Sequence, residues 1–199
     1  MPYDHVPVFV AGGAGYLGGQ IVLRLLDSGF AVVVLDDFST GDHHAVDPRA
    51  KLIEGSVANR PLVRAMLDMH KVRLVVNAAG LAPPVGEETD PLQLYRANLL
   101  APLALVESAI GSHVTAFIHV SGLIAGDRLP ATAPPRCAAM AMAEHALLDI
   151  SGPHGLSMAV LRLPEVAGCD PQGRGRPLGA QATGLVRMAL LQPWASFPM

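Results

Sequence analysis

Two rhythms of apolar residues alternate along this chain, and together they predict its architecture. Short runs rich in Val, Ile and Leu, bounded by turn residues, occupy Val6–Ala11, Ala31–Asp36, Lys51–Glu54, Arg73–Ala78, Thr115–Val120 and Ser157–Leu163. Such runs suit strands covered on both faces. Between them, apolar residues recur at helical spacing over Tyr16–Ser28, Arg60–His70, Pro91–Gly111, Arg136–Ile150 and Gly179–Leu191. In the first of these segments, Ile21, Val22, Leu25 and Leu26 share one face. Boundary residues agree: Asn59 precedes Arg60-Pro61, Asp90 precedes Pro91, and Gly29 and Gly111 sit at C-cap positions. Strand–helix alternation of this kind predicts an α/β protein, a Rossmann-type doubly wound parallel sheet with helices on both faces. After Leu163 the pattern changes. Pro164 to Pro177 is rich in Gly and Pro and reads as loop, so one domain is expected over 1–163 and a loop, helix and tail over 164–199.

Composition narrows the picture. A chain of 199 residues suffices for one domain with a real core, and 51% hydrophobic against 16% charged residues suits a sheet buried on both faces. A net charge of −3 offers no basic surface for nucleic acid or for an anionic membrane. No apolar run approaches the roughly eighteen residues of a membrane span. The opening Met-Pro-Tyr-Asp-His lacks the basic and apolar regions of a signal peptide. Cys137 and Cys169 lie in no metal spacing and read as reduced thiols of a cytoplasmic protein. His43-His44 reads as a solvated loop pair; no third ligand is suitably spaced, and no metal site is expected.

The candidate chemistry sits in residues 6–36. Val8-Phe9-Val10-Ala11 runs into Gly12-Gly13-Ala14-Gly15-Tyr16-Leu17-Gly18, a helical segment follows, and the next strand ends in Asp36-Asp37. Glycines permit a tight turn and let the backbone approach a pyrophosphate. The helix N-terminus offers unpaired N–H groups and a positive dipole end to that anion. An acid at the tip of the second strand can accept hydrogen bonds from a ribose. A carboxylate there repels a 2′-phosphate, and Asp37, Phe38, Ser39 and Thr40 supply no cation to receive one. NAD is therefore expected over NADP. Asp37 reads as a solvated turn residue.

Further segments resemble those of the extended short-chain dehydrogenase/reductases, the NAD-dependent epimerase/dehydratase family, over almost the whole chain. They are the glycine turn, Leu35 to Gly41, Asn77-Ala78-Ala79-Gly80-Leu81, Pro91 to Asn98, Phe117 to Gly126, and Leu161-Arg162-Leu163. The resemblance implies NAD as cofactor, contacted at Gly12, Gly15, Tyr16, Leu17 and Gly18, at Asp36, Asp37, Ser39, Thr40 and Gly41, at Ser56 and Val57, at Ala78, Ala79 and Gly80, and at Asn98 and Ser121. It implies a nucleotide sugar, a UDP-hexose, as substrate, with Ser121 as the catalytic serine. It also implies a homodimer through the helices Pro91–Gly111 and Arg136–Ile150, where Leu99, Leu100, Leu103 and Val106 add apolar surface. Residues 179–199 could instead cover that surface within one chain. Residues 164–199 then correspond to a short remnant of the family's substrate-binding region.

The departures are as informative. The family's Tyr-x-x-x-Lys falls on Arg136 and Met140, and no such pair exists elsewhere, because the only tyrosines are Tyr3, Tyr16 and Tyr95 and the only lysines Lys51 and Lys71. Free tyrosine has a pKa of about 10 and becomes a base only when a neighbouring cation lowers it. Arg136 cannot replace it, since guanidinium stays protonated at any working pH. General acid–base help is worth ~10²–10⁴ in rate, so the ordinary chemistry is expected to be weak or absent. His119 is the alternative base, two residues before Ser121 and on the same face of the strand; a packed histidine is the competing reading. Ser56, Ala82 and Glu165 stand at the family's adenine-contacting acid, cofactor-side lysine and sugar-nucleotide asparagine. Two functions thus remain open: a UDP-hexose epimerase in which weak activity survives, or a non-catalytic NAD-binding sensor, scaffold or partner subunit.

Overall fold

The computed structural model describes residues 6–82, 88–122, 132–164, 166, 168 and 170–175. The expected helix Gly179–Leu191, Cys169 and Glu165 lie outside the described residues. Within them the chain runs β1 (Pro7–Ala11), α1 (Tyr16–Asp27), β2 (Ala31–Asp36), a 3-10 turn (His43–Ala45), β3 (Lys51–Glu54), α2 (Arg60–Met69) and β4 (Leu74–Asn77). It continues with α3 (Pro91–Tyr95), a π turn (Arg96–Leu100), α4 (Ala101–Ala109), β5 (Ala116–Gly122), α5 (Pro135–Ser151) and β6 (Ser157–Leu163).

All five strand pairings are parallel, and the strand order is β3-β2-β1-β4-β5-β6. Parallel neighbours require crossovers, which the intervening helices supply. The first three strands build outward from β1 in one direction; β4 then returns to its other side. That reversal opens a crevice at the carboxyl ends of β1 and β4, the place where α/β sheets bind ligands.

Two apolar layers sandwich the sheet. Phe9, Val33, Leu35, Val75 and Phe117 face α2, α4 and α5 through Val63, Leu67, Leu105, Val106 and Leu147. Val8, Val10, Val32, Val34 and Val76 face α1 through Val22. Strand residues of opposite parity feed opposite layers, as a pleat requires. Helix ends follow the sequence signals. The Asn59 side chain accepts from Leu62 N and the Asp90 side chain from Leu92 N, while Gly29 and Gly111 take φ of +88° and +73°.

Two elements differ from expectation. The helix expected as one piece over Pro91–Gly111 contains the π turn, in which Ala101 N donates to Arg96 O, five residues back. Pro102 explains it. Its ring lacks an N–H and crowds the carbonyl four residues earlier, that of Asn98, so the ladder widens by one residue. Strand β5 extends to Gly122, pairing with Leu163, two residues beyond the expected end. Val106 and Ala139 are fully buried in the subunit core, so Val106 adds no surface for a partner.

Candidate functional site

The turn after β1 is built for close backbone approach. Gly12 has φ of +77°, and a methyl placed on it would lie 2.6–2.8 Å from backbone atoms of Ala78 and Ala79. At Gly18 a methyl would collide with the Gly12 carbonyl. Gly15 is the N-cap of α1 and has no side chain to satisfy the first-turn N–H groups. These donors, with the dipole behind them, face the crevice as an anion cradle. Tyr16 follows and donates its hydroxyl to Gly168 O at 2.5 Å. The contact ties the loop after β6 to the start of α1, beside half-buried Leu17.

Asp36 ends β2 with its carboxylate buried beside this turn. One oxygen accepts from Ala14 N and the other from Phe38 N, both at 2.9 Å. The acid therefore fixes the glycine turn and the 36–41 loop against each other. Spare lone pairs on each oxygen remain for a ribose. Gly41 is needed here, because a methyl on it would lie 2.8 Å from Asp36 Oδ1. Asp37 is exposed and accepts from Ser39 N and Ser39 Oγ, a turn within the loop that also carries exposed Thr40. Ser56 Oγ accepts from Ala58 N after β3, and Val57 packs on the core below.

Across the crevice, the loop after β4 is held by side-chain amides. Asn98 Oδ1 accepts from Leu81 N, and its Nδ2 donates to Leu81 O, each at 3.0 Å. Asn98 lies in the π turn. The widened helix brings its amide to the 78–81 backbone, and a methyl on Gly80 would lie 2.8 Å from Asn98 Oδ1. Asn98 thus positions Ala78, Ala79 and Gly80 with both ends of its amide spent on backbone. Ala82, the last described residue of this loop, is exposed.

Strand β5 and helix α5 form the remaining wall. Ser121 is 4% exposed and its Oγ has no partner among the described residues. Arg136, Met140 and Glu144 lie at four-residue spacing along α5, and the first two approach the end of β5. A methyl on Gly122 would lie 3.1 Å from Met140 Cε and 4.0 Å from Arg136 Nη2. Arg136 Nε is buried without a partner. Buried Glu144 is bound by Arg162, whose Nε donates to Oε2 at 2.7 Å. Arg162 lies beside Ser121 in the β5–β6 register.

His119 is brought to the same face as Ser121, beneath it in the sheet. Asn77 Oδ1 accepts from Ala79 N, which turns Asn77 Nδ2 toward His119 Nδ1 at 3.1 Å. The ring is therefore the neutral tautomer protonated at Nε2. Burial pushes its pKa down from 6.5 to about 4, against a smaller opposite pull from Glu144. A base needs an available lone pair and a pKa near the working pH; His119 has its Nδ1 lone pair engaged and holds protons poorly.

Asn77 and the Glu144–Arg162 pair were missed in the sequence reading. The signal for the pair was present: an acid inside an otherwise apolar helix and a cation inside an apolar strand each need a partner. A network of Asp27, Asp47, Arg49, Asp170 and Arg174 ties the loop after β6 to the end of α1. Hydrogen bonds from Arg174 and then Arg49 lower the Asp27 pKa to about 2. A surface depression of about 500 Å³ lined by His44, Arg49 and Arg174 shares no residue with the glycine turn or Ser121. Among the described residues no three His, Cys, Asp or Glu are placed to hold a metal, and no helix is long and apolar enough to cross a membrane.

A dinucleotide fits these residues. The uncapped helix start and the glycine cradle suit a pyrophosphate, Asp36 suits a ribose, and the buried Ser121 hydroxyl, without a partner among the described residues, lies at the end of β5. Residues 8–193 match the NAD dependent epimerase/dehydratase family. A UDP-glucose 4-epimerase of Azospirillum brasilense is 31% identical over 192 residues, covering 92% of this chain and 55% of the relative. Among solved structures, the Thermotoga maritima UDP-glucose 4-epimerase with UDP-glucose superposes with a TM-score of 0.74 at 27% identity, over 85% of this chain and 60% of that one. The Thermus thermophilus UDP-glucose 4-epimerase complex with NAD gives a TM-score of 0.71 at 29% identity, over 84% and 58%. This chain spans about half the length of the curated relatives it matches.

Proposed function

This chain belongs to the NAD-dependent epimerase/dehydratase family, and on that premise we propose that it binds NAD(H) but is weak or inactive as a UDP-hexose epimerase. The single observation carrying this reading is that Arg136 and Met140, which approach Gly122 at the end of β5, have no group able to take a proton, while Glu144 on the same stripe is bound by Arg162. When bound, the cofactor supplies the hydride acceptor and donor. The chain supplies the rest: Gly12, Gly15 and Gly18 with the α1 N-terminus for the pyrophosphate, Asp36 for the ribose, and the Asn98-clamped loop beneath. Removing the sugar hydroxyl proton as hydride leaves needs a base of suitable pKa. Arg136 is permanently protonated, Met140 has no acid–base function, and Ser121 is a hydrogen-bonding group alone. His119 is bonded to Asn77 and resists protonation. The alternative favoured by the same observation is a non-catalytic NAD-binding sensor, scaffold or partner subunit.

The relatives' substrates make a UDP-hexose the ligand class to try first. Domain division at residue 163, a cytoplasmic setting consistent with free Cys137, and a homodimer through the helices of residues 91–109 and 135–151 complete the proposal. The dimer is supported by exposed Leu92, Leu100, Met142 and Leu148, between 49% and 54% accessible. A two-fold interface would bury them against their own copies.

Calorimetric titration with NADH and NADPH tests the cofactor reading. NADH should bind more tightly. Asp36→Ala should weaken it by ~1–3 kcal/mol, the cost of losing a charged hydrogen-bond partner. Equal or tighter NADPH binding overturns the reading.

A further inference from the structure

We propose that Arg136 makes the cofactor site select the reduced dinucleotide, NADH, over NAD⁺. The inference rests on the cofactor reading above and extends it to the redox form. Asp36 and the glycine turn fix the adenosine half on the β1–β2 side of the switch point. The second half of a dinucleotide must then lie across the crevice, over the carboxyl ends of β4 and β5. Strand β5 ends there in Ser121 and Gly122. The two redox forms differ at this end in one respect that matters electrostatically: the oxidised nicotinamide ring carries a positive charge and the reduced ring carries none.

Arg136 places a second positive charge at the same end. Its Nη2 lies 4.0 Å from where a methyl on Gly122 would sit, and its Nε is buried and unpartnered. Guanidinium cannot discharge itself by losing a proton. No carboxylate among the described residues pairs with it. The acid on its own stripe, Glu144, is eight residues along α5, roughly 12 Å at 1.5 Å per residue, and is already bound to Arg162. Between them stands Met140, which is apolar and 9% exposed. The oxidised ring thus meets an uncompensated like charge in a partly buried setting, where such a pair weakens binding by roughly tenfold or more. The reduced ring escapes the repulsion. Occupancy of this protein follows the ratio of reduced to oxidised cofactor rather than their sum.

Fluorescence and calorimetric titrations of the full chain with NADH and NAD⁺ test the proposal, alongside Arg136→Gln and Arg136→Lys. The wild-type Kd for NAD⁺ should exceed that for NADH by roughly tenfold or more. Arg136→Gln should collapse the ratio by tightening NAD⁺, and Arg136→Lys should retain it. Circular-dichroism melts check that each variant is folded, and chemical-shift changes on cofactor addition give a second readout if Arg136→Gln is less stable. Equal wild-type affinities, or a ratio unchanged in Arg136→Gln, overturn the selection. Failure of folded wild-type protein to bind either form overturns the cofactor reading as well, a result distinct from binding without preference.

Discussion

Acid should destabilise this protein through His119 well above the pH at which carboxylates titrate. The ring is 4% exposed, and burial lowers its pKa from 6.5 to about 4. The unfolded chain accepts a proton near pH 6.5 and the folded chain resists until about pH 4. Between those values the unfolded state binds more protons, so stability rises with pH and falls on acidification. At 1.36 kcal/mol per pH unit the whole window is worth roughly 3 kcal/mol, of which about 2 kcal/mol is lost between pH 7.5 and pH 5. His119→Asn is the informative variant, because the asparagine oxygen can still accept from Asn77 while nothing at that position titrates. It should be less stable at pH 7.5, having lost packing, but its decline from pH 7.5 to pH 5 should be shallower by about 2 kcal/mol. His70, whose pKa is also lowered by burial and by Lys51, contributes equally to both proteins and cancels in the difference. Urea unfolding at the two pH values measures it. Parallel declines, or a His119 ring resonance titrating above pH 6, would refute the assignment and revive His119 as a candidate base.

Three other outcomes follow from the same geometry. Gly12→Ala should cost ~2–4 kcal/mol in urea unfolding, since φ of +77° and the Ala78–Ala79 backbone leave its methyl nowhere to go; a stable variant that still binds NADH would contradict the cradle. Arg162→Met strands the buried Glu144 carboxylate and should destabilise by ~1–3 kcal/mol, below the range for a fully buried pair because half of Arg162 is exposed; Glu144→Gln added to it should recover part of that loss, and no recovery would show that the pair is not the cause. Light scattering at micromolar concentration should report a dimer that Leu100→Glu with Met142→Glu dissociates; a wild-type monomer, or a dimer untouched by both changes, would remove these helices as the interface.

Much of this was legible because its determinants are local. The glycine spacing, the acid closing β2, and the Asn59 and Asp90 caps each act within a few residues, so the sequence carried them directly. The rest depended on registers between distant segments. His119 meets Asn77 only because β5 pairs with β4 in one register, and burial by α5 then sets its charge state. Pro102 announced an interruption but not its form: a break, a kink or a π turn would each resolve its missing N–H. The π turn places Asn98 where its amide clamps the Leu81 backbone, a contact that depends on the distant β4 loop. The Ala139 methyl illustrates the same point for surfaces. An Ala-rich helix is apolar all round, and only the packed structure tells which side is core.

The central claim is that this chain presents a dinucleotide site in which Arg136 and Met140 stand where the family's proton-accepting pair would be. The most direct measurement follows nicotinamide fluorescence of the purified protein, loaded with NAD⁺ and its loading verified by native mass spectrometry, as UDP-galactose or UDP-glucose is added. The account predicts bound cofactor and no growth of reduced-nicotinamide fluorescence on the timescale of ordinary turnover, about 10 s⁻¹ for a median enzyme. Rapid reduction of the bound cofactor by either sugar nucleotide would contradict it.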